Sequence, residues 1–159
     1  MEKAVREFTE ESLDIKLPNH PRLMNENEVI FLVKMMLDEL YELLLTVQDQ
    51  YNARKTLNSL ISNLEEHNSL INTNEEDKII AAQMDALVDS HYYALNAAAK
   101  VGCNLQPIFK LVHNANMAKK FPDGTFHRRD DGKVIKPPGW KEPDIINEIK
   151  RQKKEGAFI

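Results

Sequence analysis

Three carboxylates interrupt the most apolar stretch of this sequence. Asp38, Glu39 and Glu42 lie within a run from 29 to 47 that consists otherwise mainly of Val, Ile, Leu, Met and Phe. Side chains three or four residues apart share one side of a helix, so these acids should point in roughly the same direction. Burying an uncompensated carboxylate costs several kcal/mol, and neighbouring like charges add to that cost. The triplet therefore predicts either protonated acids or a bound cation.

A second acid pair repeats this feature further along the chain. Asp85 and Asp89 are four residues apart within 81–99, a stretch that is otherwise largely apolar. Mg²⁺ suits such a site best, with Mn²⁺ as the alternative, because both are hard ions that take oxygen ligands and no Cys or His cluster selects zinc. A water held by the ion would be available as a nucleophile. The alternative that remains open is that the acids form a solvated helix face.

Cationic side chains gather in a later segment. Residues 119–136 carry Lys119, Lys120, Arg128, Arg129, Lys133 and Lys136, preceded by Asn114 and Asn116. Arginine binds phosphate oxygens through a fork of donors, and lysine binds them as a point charge. The alternative is a solvated surface loop. Trp140 follows Pro137-Pro138-Gly139, which predicts a rigid, extended segment, and its indole should either stack on a base or anchor the loop.

Composition limits the classes of protein to which the chain can belong. Its 159 residues suit one domain over 1–159, five glycines and few alternating runs favour an all-α fold, and one cysteine excludes an internal disulfide. A net charge of −4 argues against a protein that coats nucleic acid. No apolar run reaches the roughly 20 residues of a membrane span, and the N-terminus lacks a secretory signal. We therefore expect a cytoplasmic protein with no membrane partner.

The helices that must position these groups can be placed from their start and stop signals. Asn25 and Glu28 have capping-box spacing, and the helix that they begin should run to about Tyr51. Since apolar residues cover nearly every direction around its axis, we expect it to be buried on most sides. The other predicted elements are a short helix over 1–14 with Val5 and Phe8 inward, a weaker helical segment over 52–72, a long helix from about Thr73 to a stop at Gly102, a helix from the Asn104 cap to about Lys120, a basic loop over 121–142 with turns at Asp123-Gly124 and Asp131-Gly132, and a terminal helix over 143–154.

Three segments resemble one enzyme superfamily. Asp38-Glu39-Leu40-Tyr41-Glu42 resembles the Glu-Glu-x-x-Glu motif of the all-α NTP pyrophosphohydrolases, which include MazG, the dimeric dUTPases and phosphoribosyl-ATP pyrophosphohydrolase. The stretch from Asp89 to Gly102 resembles the end of their second motif, Glu-x-x-Asp, and the helix after it. Asn116-Met117-Ala118-Lys119, followed by Asp131-Gly132-Lys133-Val134-Ile135-Lys136, is similar to the C-terminal signature of the MazG-like, phosphoribosyl-ATP pyrophosphohydrolase-like branch. The resemblance covers about residues 5–144.

This resemblance implies a helical bundle that forms a homodimer or tetramer and hydrolyses a nucleoside triphosphate to the monophosphate and pyrophosphate. It implies Mg²⁺ bound by Glu39, Glu42, Asp85 and Asp89, with Asp38, Glu39 and Glu42 as the catalytic acids and Asp38 as the acid that orients water. Substrate contacts would come from Asn116, Lys119, Arg128, Lys133 and Lys136. Two positions depart from the family pattern. Asp38 stands where the family has Glu, and Ala86 stands where the second motif has Glu, so that Asp85 would have to replace it.

Two other functions remain open at this point. A non-catalytic helical module of the same fold would bind a nucleotide or a protein, and the Ala86 departure supports it. A nucleic-acid binder would use the tail over 119–154, which has eleven Lys or Arg against six acids, a modest excess. The sequence does not name the nucleotide, because no motif specifies the pocket that selects a base.

Overall fold

The computed structural model describes residues 1–64, 74–129 and 133–158. The elements within these ranges are α1 (Glu2–Leu13), α2 (Glu26–Leu45), α3 (Gln50–Ser62), α4 (Glu76–Lys100), α5 (Leu105–Met117) and α6 (Ile145–Glu155). An isolated antiparallel bridge joins Arg128 to Val134. The described elements confirm the prediction of an all-α fold, and none of these helices is long and apolar enough to cross a membrane.

The chain groups into two compact units. One contains Met1–His20 and Val88–Ile159, and the other contains Pro21–Leu87. The first unit holds α1, α5 and α6, the second holds α2 and α3, and the division falls within α4. In the first unit α5 contacts both α1 and α6, and in the second α2 contacts α3. The single domain expected over 1–159 stays a prediction.

The predicted start of α2 is confirmed, and its predicted end is wrong. The Asn25 side chain accepts from Glu28 N at 3.0 Å and the Glu28 carboxylate accepts from Asn25 N at 2.9 Å, which completes the capping box. The helix ends at Leu45 rather than near Tyr51. Asp49 is the reason, because its carboxylate accepts from Asn52 N at 3.0 Å and begins α3 as a new helix. Because apolar residues continue past Leu45, the sequence pattern did not indicate that a new helix is capped at Asp49.

The ends of α4 and α5 follow local signals. Gly102 has φ 71°, and Gly102 N and Cys103 N donate to Ala99 O and Ala98 O, both at 2.9 Å. This Schellman motif confirms the predicted stop. Asn104 caps α5 as predicted, with its side chain accepting from Gln106 N at 3.0 Å. The helix ends at Met117, before the predicted Lys120, because Lys119 N and Lys120 N bond three residues back and tighten the last turn.

The remaining boundaries differ slightly from expectation. Asp144 caps α6 by accepting from Asn147 N at 3.1 Å, so the helix covers Ile145–Glu155 rather than 143–154. In α1, Phe8 meets Phe126 edge-on with centroids 5.6 Å apart, as the inward position predicted, but Val5 is 49% exposed. The weaker segment forms α3, and its predicted continuation over 65–72 lies outside the described residues.

The expected burial of α2 is wrong for the single chain. None of the residues described in α2 or α4 is buried. Val33, Met36, Leu40 and Leu43 are 37–64% exposed and follow one another by three, four and three residues, which is the spacing of a helix–helix contact seam. Among the described residues, the buried apolar side chains are Ala53 and Ala115. The large apolar side chains of α2 therefore find too little partner surface within their own chain.

Two glutamines fix helix starts by pairing with backbone. Gln83 of α4 accepts from Met24 N at 3.0 Å and donates to Met24 O at 2.9 Å, just before the cap of α2. Gln152 of α6 pairs in the same way with Asn104 N and Asn104 O, both at 2.9 Å, at the cap of α5. A carboxamide offers one donor and one acceptor, as a peptide group does, so each clamp satisfies both backbone groups.

Gln152→Glu should destabilise the protein by about 1–3 kcal/mol, because the carboxylate cannot donate to Asn104 O and leaves that carbonyl without its partner. Gln152 is 7% exposed, so water cannot replace the lost donor easily. Urea unfolding at fixed protein concentration measures the effect. The control is Gln50→Glu, the same chemical change at an exposed position in the first turn of α3. Equal stability of Gln152→Glu and wild type would contradict the clamp.

Candidate functional site

The predicted acids lie at the middle of two helices. Asp38, Glu39 and Glu42 belong to α2, and Asp85 and Asp89 lie one turn apart on α4. All five are exposed in the single chain. Ala86 lies between the two acids of α4, at the position where the family's second motif has a glutamate. The carboxylate nearest to this position in the sequence is that of Asp85.

None of these five carboxylates takes part in a hydrogen bond or an ion pair within the residues that the structure describes. Their donor chemistry fits Mg²⁺ or Mn²⁺, because all the candidate ligands are carboxylate oxygens. Over the same described residues, no three His, Cys, Asp or Glu side chains of one chain come together as a metal site. The assignment of Glu39, Glu42, Asp85 and Asp89 as ligands therefore stays a prediction.

The structure brings three of the five predicted substrate-binding residues, Asn116, Lys119 and Lys136, together beside the indole of Trp140. Lys119 Nζ donates to Asn116 Oδ1 at 2.8 Å. The ammonium nitrogens of Lys136 and Lys119 lie 4.1 and 5.8 Å from the Trp140 ring centroid. Lys133 is close enough to act on Lys119 electrostatically. We call Asn116, Lys119, Lys133, Lys136 and Trp140 the lysine–indole cluster.

The electrostatics of this cluster favour an anion. Burial lowers the pKa of the Lys119 ammonium, and the charges of Lys136 and Lys133 lower this pKa further. Lys136 Nζ has Glu142 Oε1 at 3.9 Å, but both side chains are more than half exposed, and such a pair contributes little. The positive charges of Lys119 and Lys136 therefore repel each other beside one ring, and a bound anion would relieve that repulsion.

Local structure explains how the indole is held. Trp140 Nε1 donates to Ala115 O at 2.7 Å, which satisfies a carbonyl in the last turn of α5. Pro137 O accepts from Trp140 N at 3.1 Å, and Gly139 has φ 81°. This is a tight turn with Pro and Gly at its central positions, so the predicted extended segment is wrong. The interpretation of Trp140 as an anchor of the loop is confirmed by its bond to α5.

The basic loop is held by short-range pairing. Gly124 N donates to Phe121 O at 2.9 Å, which confirms the turn at Asp123-Gly124, while Asp131-Gly132 lies outside the described residues. Ile135 N donates to His127 O at 2.8 Å and Arg129 N donates to Lys133 O at 3.0 Å, so this stretch pairs in antiparallel fashion. The pairing fixes the backbone on which Lys133 and Lys136 are carried.

Arg128 is placed differently from the predicted lysines. Its Nε donates to Ser12 O at 2.8 Å and its Nη2 donates to Ser12 Oγ at 3.2 Å. Ser12 is a buried residue in the last turn of α1, so the guanidinium links the basic loop to that helix. This contact gives Arg128 a structural role, and its role in substrate binding stays a prediction.

An apolar cavity of about 680 Å³ lies between α5 and the C-terminal half of α4. Ala98, Phe109 and Val112 line it, together with the uncharged polar side chains of Asn104 and Gln106. No Lys or Arg is among its lining residues, so it offers neither side chain to a phosphate.

Comparison with known proteins supports the resemblance found in the sequence. No family model matches the chain, and no curated protein matches it. A crystal structure described as that of a "putative NTP pyrophosphohydrolase" from Exiguobacterium sp. 255-15 is similar to it, with a TM-score of 0.78 and 26% sequence identity. The similarity covers 98% of this chain and 97% of that chain. The expected all-α NTP pyrophosphohydrolase-like fold is therefore confirmed over nearly the full length.

Arg128→Met should destabilise the protein by about 1–3 kcal/mol, because it removes charge-assisted bonds to a partly buried backbone carbonyl. In a Ser12→Ala background the same substitution should cost less, since one of the two acceptors is already gone. Thermal unfolding of the four proteins in this double-mutant cycle measures the coupling. Equal costs in both backgrounds would show that the Ser12 hydroxyl contributes nothing to the contact.

Proposed function

We propose that this NTP pyrophosphohydrolase-like chain cleaves a nucleoside triphosphate to the monophosphate and pyrophosphate in a Mg²⁺-dependent reaction. The observation that carries the proposal is a set of five carboxylates without protein partners, on two largely apolar helices of a chain with this fold. A cation is the partner that such carboxylates lack. The nucleotide itself stays open, since no residue described above selects a base.

In this mechanism Glu39, Glu42, Asp85 and Asp89 would hold the ion, which when bound would neutralise charge on the phosphates. Asp38 would orient a water and accept its proton as the water oxygen bonds to the α-phosphorus. The bond from that phosphorus to the bridging oxygen breaks, and pyrophosphate leaves with the electron pair. Phosphoryl transfer depends mainly on positioning and charge stabilisation; the carboxylates would position the water in line with the leaving group, and the ion and the lysines would supply the positive charge.

The lysine–indole cluster would contact the phosphates of the substrate. Its ammonium groups supply the positive charge that a polyphosphate needs and that the acid helices cannot give. Asn116 orients Lys119 through the bond at 2.8 Å and has an amide nitrogen to donate to a phosphate or ribose oxygen.

We also propose that the chain forms a homodimer or a tetramer of two dimers through α2 and α4. The exposed seam of α2 has a counterpart on α4, where Met84, Val88, Tyr92 and Leu95 are 38–68% exposed on one face. A second copy offers the same apolar surfaces, and their burial would surround the acids with a drier environment.

The second candidate function is a non-catalytic module of the same fold that binds a nucleotide or a protein. The observation that favours it is Ala86, since the second motif lacks a glutamate there. It differs from the first proposal in one measurable respect, which is that nucleotide binding would occur without release of pyrophosphate.

Glu39→Gln and Asp85→Asn should each reduce Mg²⁺-dependent pyrophosphate release by about 100-fold or more, since even the outer partners of metal ligands contribute about 10–100-fold. A panel of canonical and modified nucleoside triphosphates, with product identification, gives the rates. The matched controls are Glu26→Gln and Asp77→Asn, exposed acids in the first turns of the same two helices. The controls should keep the wild-type rate.

The opposite results would separate the two candidates. No release from any nucleotide, with Glu39→Gln indistinguishable from wild type, would refute the enzyme. Full activity of Asp85→Asn would leave the enzyme in place but show that its fourth ligand lies elsewhere.

Leu43→Lys should dissociate the proposed oligomer, because burying a lysine in an apolar seam leaves an unpaired charge out of water. Leu43 is 64% exposed in the single chain, so the substitution has little cost for the monomer. Sedimentation velocity over a concentration series measures the change. Ile146→Lys is the control, since Ile146 is 70% exposed on the polar helix α6. A monomeric wild-type protein at micromolar concentration would contradict self-association.

A further inference from the structure

We infer that the four proposed metal ligands come from two chains, so that Glu39 and Glu42 of one copy hold the ion together with Asp85 and Asp89 of a second copy. The inference rests on the proposed function for the identity of the ion and of its ligands. It adds that one chain does not complete the site by itself. The observations that carry it are the positions of the two acid groups along α2 and α4 and the apolar faces beside them.

The clamp between Gln83 and Met24 fixes the level of α4 relative to α2. Gln83 bonds to both backbone groups of Met24, two residues before α2 begins at Glu26. Asp85 follows Gln83 by two residues, which is about 3 Å along the axis of α4. Glu39 lies about 20 Å along the axis of α2 from Glu26. Asp85 is therefore near the first turn of α2, whereas Glu39 is more than three turns further along that helix.

Packing within the chain does not close this separation. Among the described residues, α2 packs against α3 and not along the part of α4 in the same unit, residues 76–87. Mg²⁺ takes oxygen ligands at about 2.0–2.1 Å, so its ligand oxygens lie almost in contact, and Asp and Glu side chains are too short to bridge the gap. In agreement, no three acids of one chain come together over the residues described. A second copy can supply the missing pair while the clamp stays intact.

The apolar faces of the two helices match each other in length. On α2 the exposed seam runs from Val33 to Leu43, and on α4 the exposed apolar face runs from Met84 to Leu95. Each therefore extends about 15–17 Å along its helix. The seam of one copy can cover the face of the other along its whole length, and a twofold axis repeats the same contact on the opposite side. Both apolar surfaces of both chains would then be covered in a closed dimer.

The proposed ligands border these apolar faces. Glu39 lies at the rim of the seam, three residues after Met36 and four before Leu43. Asp85 and Asp89 each directly follow an apolar residue of the face on α4. Packing of α2 against the α4 of the second copy thus brings both acid groups to the border of one contact, where a cation is needed to offset their repulsion. Packing of each helix against its own copy would cover apolar surface but leave the two acid groups apart.

Complementation between two inactive variants tests the inference, because a mixed dimer regains a complete site only if the ligands come from different chains. Glu39→Gln and Asp85→Asn are unfolded in urea, mixed in equal amounts and refolded together. Half of the dimers are then mixed and each has one intact site of two, so we expect about a quarter of the wild-type rate of Mg²⁺-dependent pyrophosphate release. Wild type carried through the same steps gives the reference rate. The matched control is a mixture of Glu39→Gln with Glu42→Gln, which has both changes on α2 and regains no site.

Metal binding gives a second readout that does not depend on turnover. Free Mn²⁺ is measured by electron paramagnetic resonance in the same mixtures without nucleotide, and circular dichroism checks that the refolded variants keep their helices. Wild type should bind Mn²⁺, and Glu39→Gln and Asp85→Asn alone should each lose that binding. Their mixture should regain about a quarter of the wild-type sites, and the control mixture should regain none.

The two readouts separate this inference from the proposed function. Hydrolysis by wild type, with a mixture of Glu39→Gln and Asp85→Asn that stays at the level of the control mixture, would overturn the shared site and leave the enzyme in place. Regained Mn²⁺ sites in that mixture, without hydrolysis by wild type, would support the shared site and refute the enzyme. A wild-type protein that binds no Mn²⁺ and hydrolyses no nucleotide would overturn both.

Discussion

The apolar surface of α2 is the constraint on which the rest of this molecule depends. Leu40 and Leu43 are more than half exposed in the single chain, and Val33 and Met36 continue the same seam. Each such side chain gains about 1.5–3 kcal/mol on full burial, and α3 contacts α2 without burying any of them. Apolar side chains at this spacing pack best against the apolar face of another helix. For this reason the second copy proposed above would stabilise the fold as well as serve the function.

The proposed metal site follows from the same constraint. At 3.6 residues per turn, Asp38 and Glu42 lie on a different side of α2 from the seam, whereas Glu39 lies at its edge, three residues after Met36 and four before Leu43. Association along the seam would thus leave Asp38 and Glu42 outside the contact and Glu39 at its rim, while removing much of the water around them. Carboxylates in such surroundings are tolerated when a cation compensates them. The residues that drive assembly and those that hold the ion are therefore different, although one helix carries both sets.

Local rules account for what the sequence predicted well, and long-range contacts account for what it did not. The caps at Asn25, Asn104 and Gly102 were readable because each joins groups within a few residues. The Gln83 clamp on Met24 spans 59 residues, and nothing in the pattern around a glutamine marks such a partner. Three predicted phosphate-binding residues, Asn116, Lys119 and Lys136, came together, but the sequence could not show that a turn and the Trp140 indole would organise them. Burial of α2 was overestimated, because hydrophobicity shows that a partner is needed and not that it belongs to the same chain.

The two proposed halves of the site differ in what organises them. The lysine–indole cluster is held within one chain by the bond from Trp140 to α5 and by the pairing of the basic loop. The five acids have no comparable support within the described residues, and the drier surroundings of the proposed assembly would strengthen their mutual repulsion, which a bound cation would offset. A triphosphate with its metal ion carries both charges, so it can satisfy lysines and carboxylates together while neither half neutralises the other. Under the proposed function, the substrate complex is thus the species that completes the electrostatics of the site.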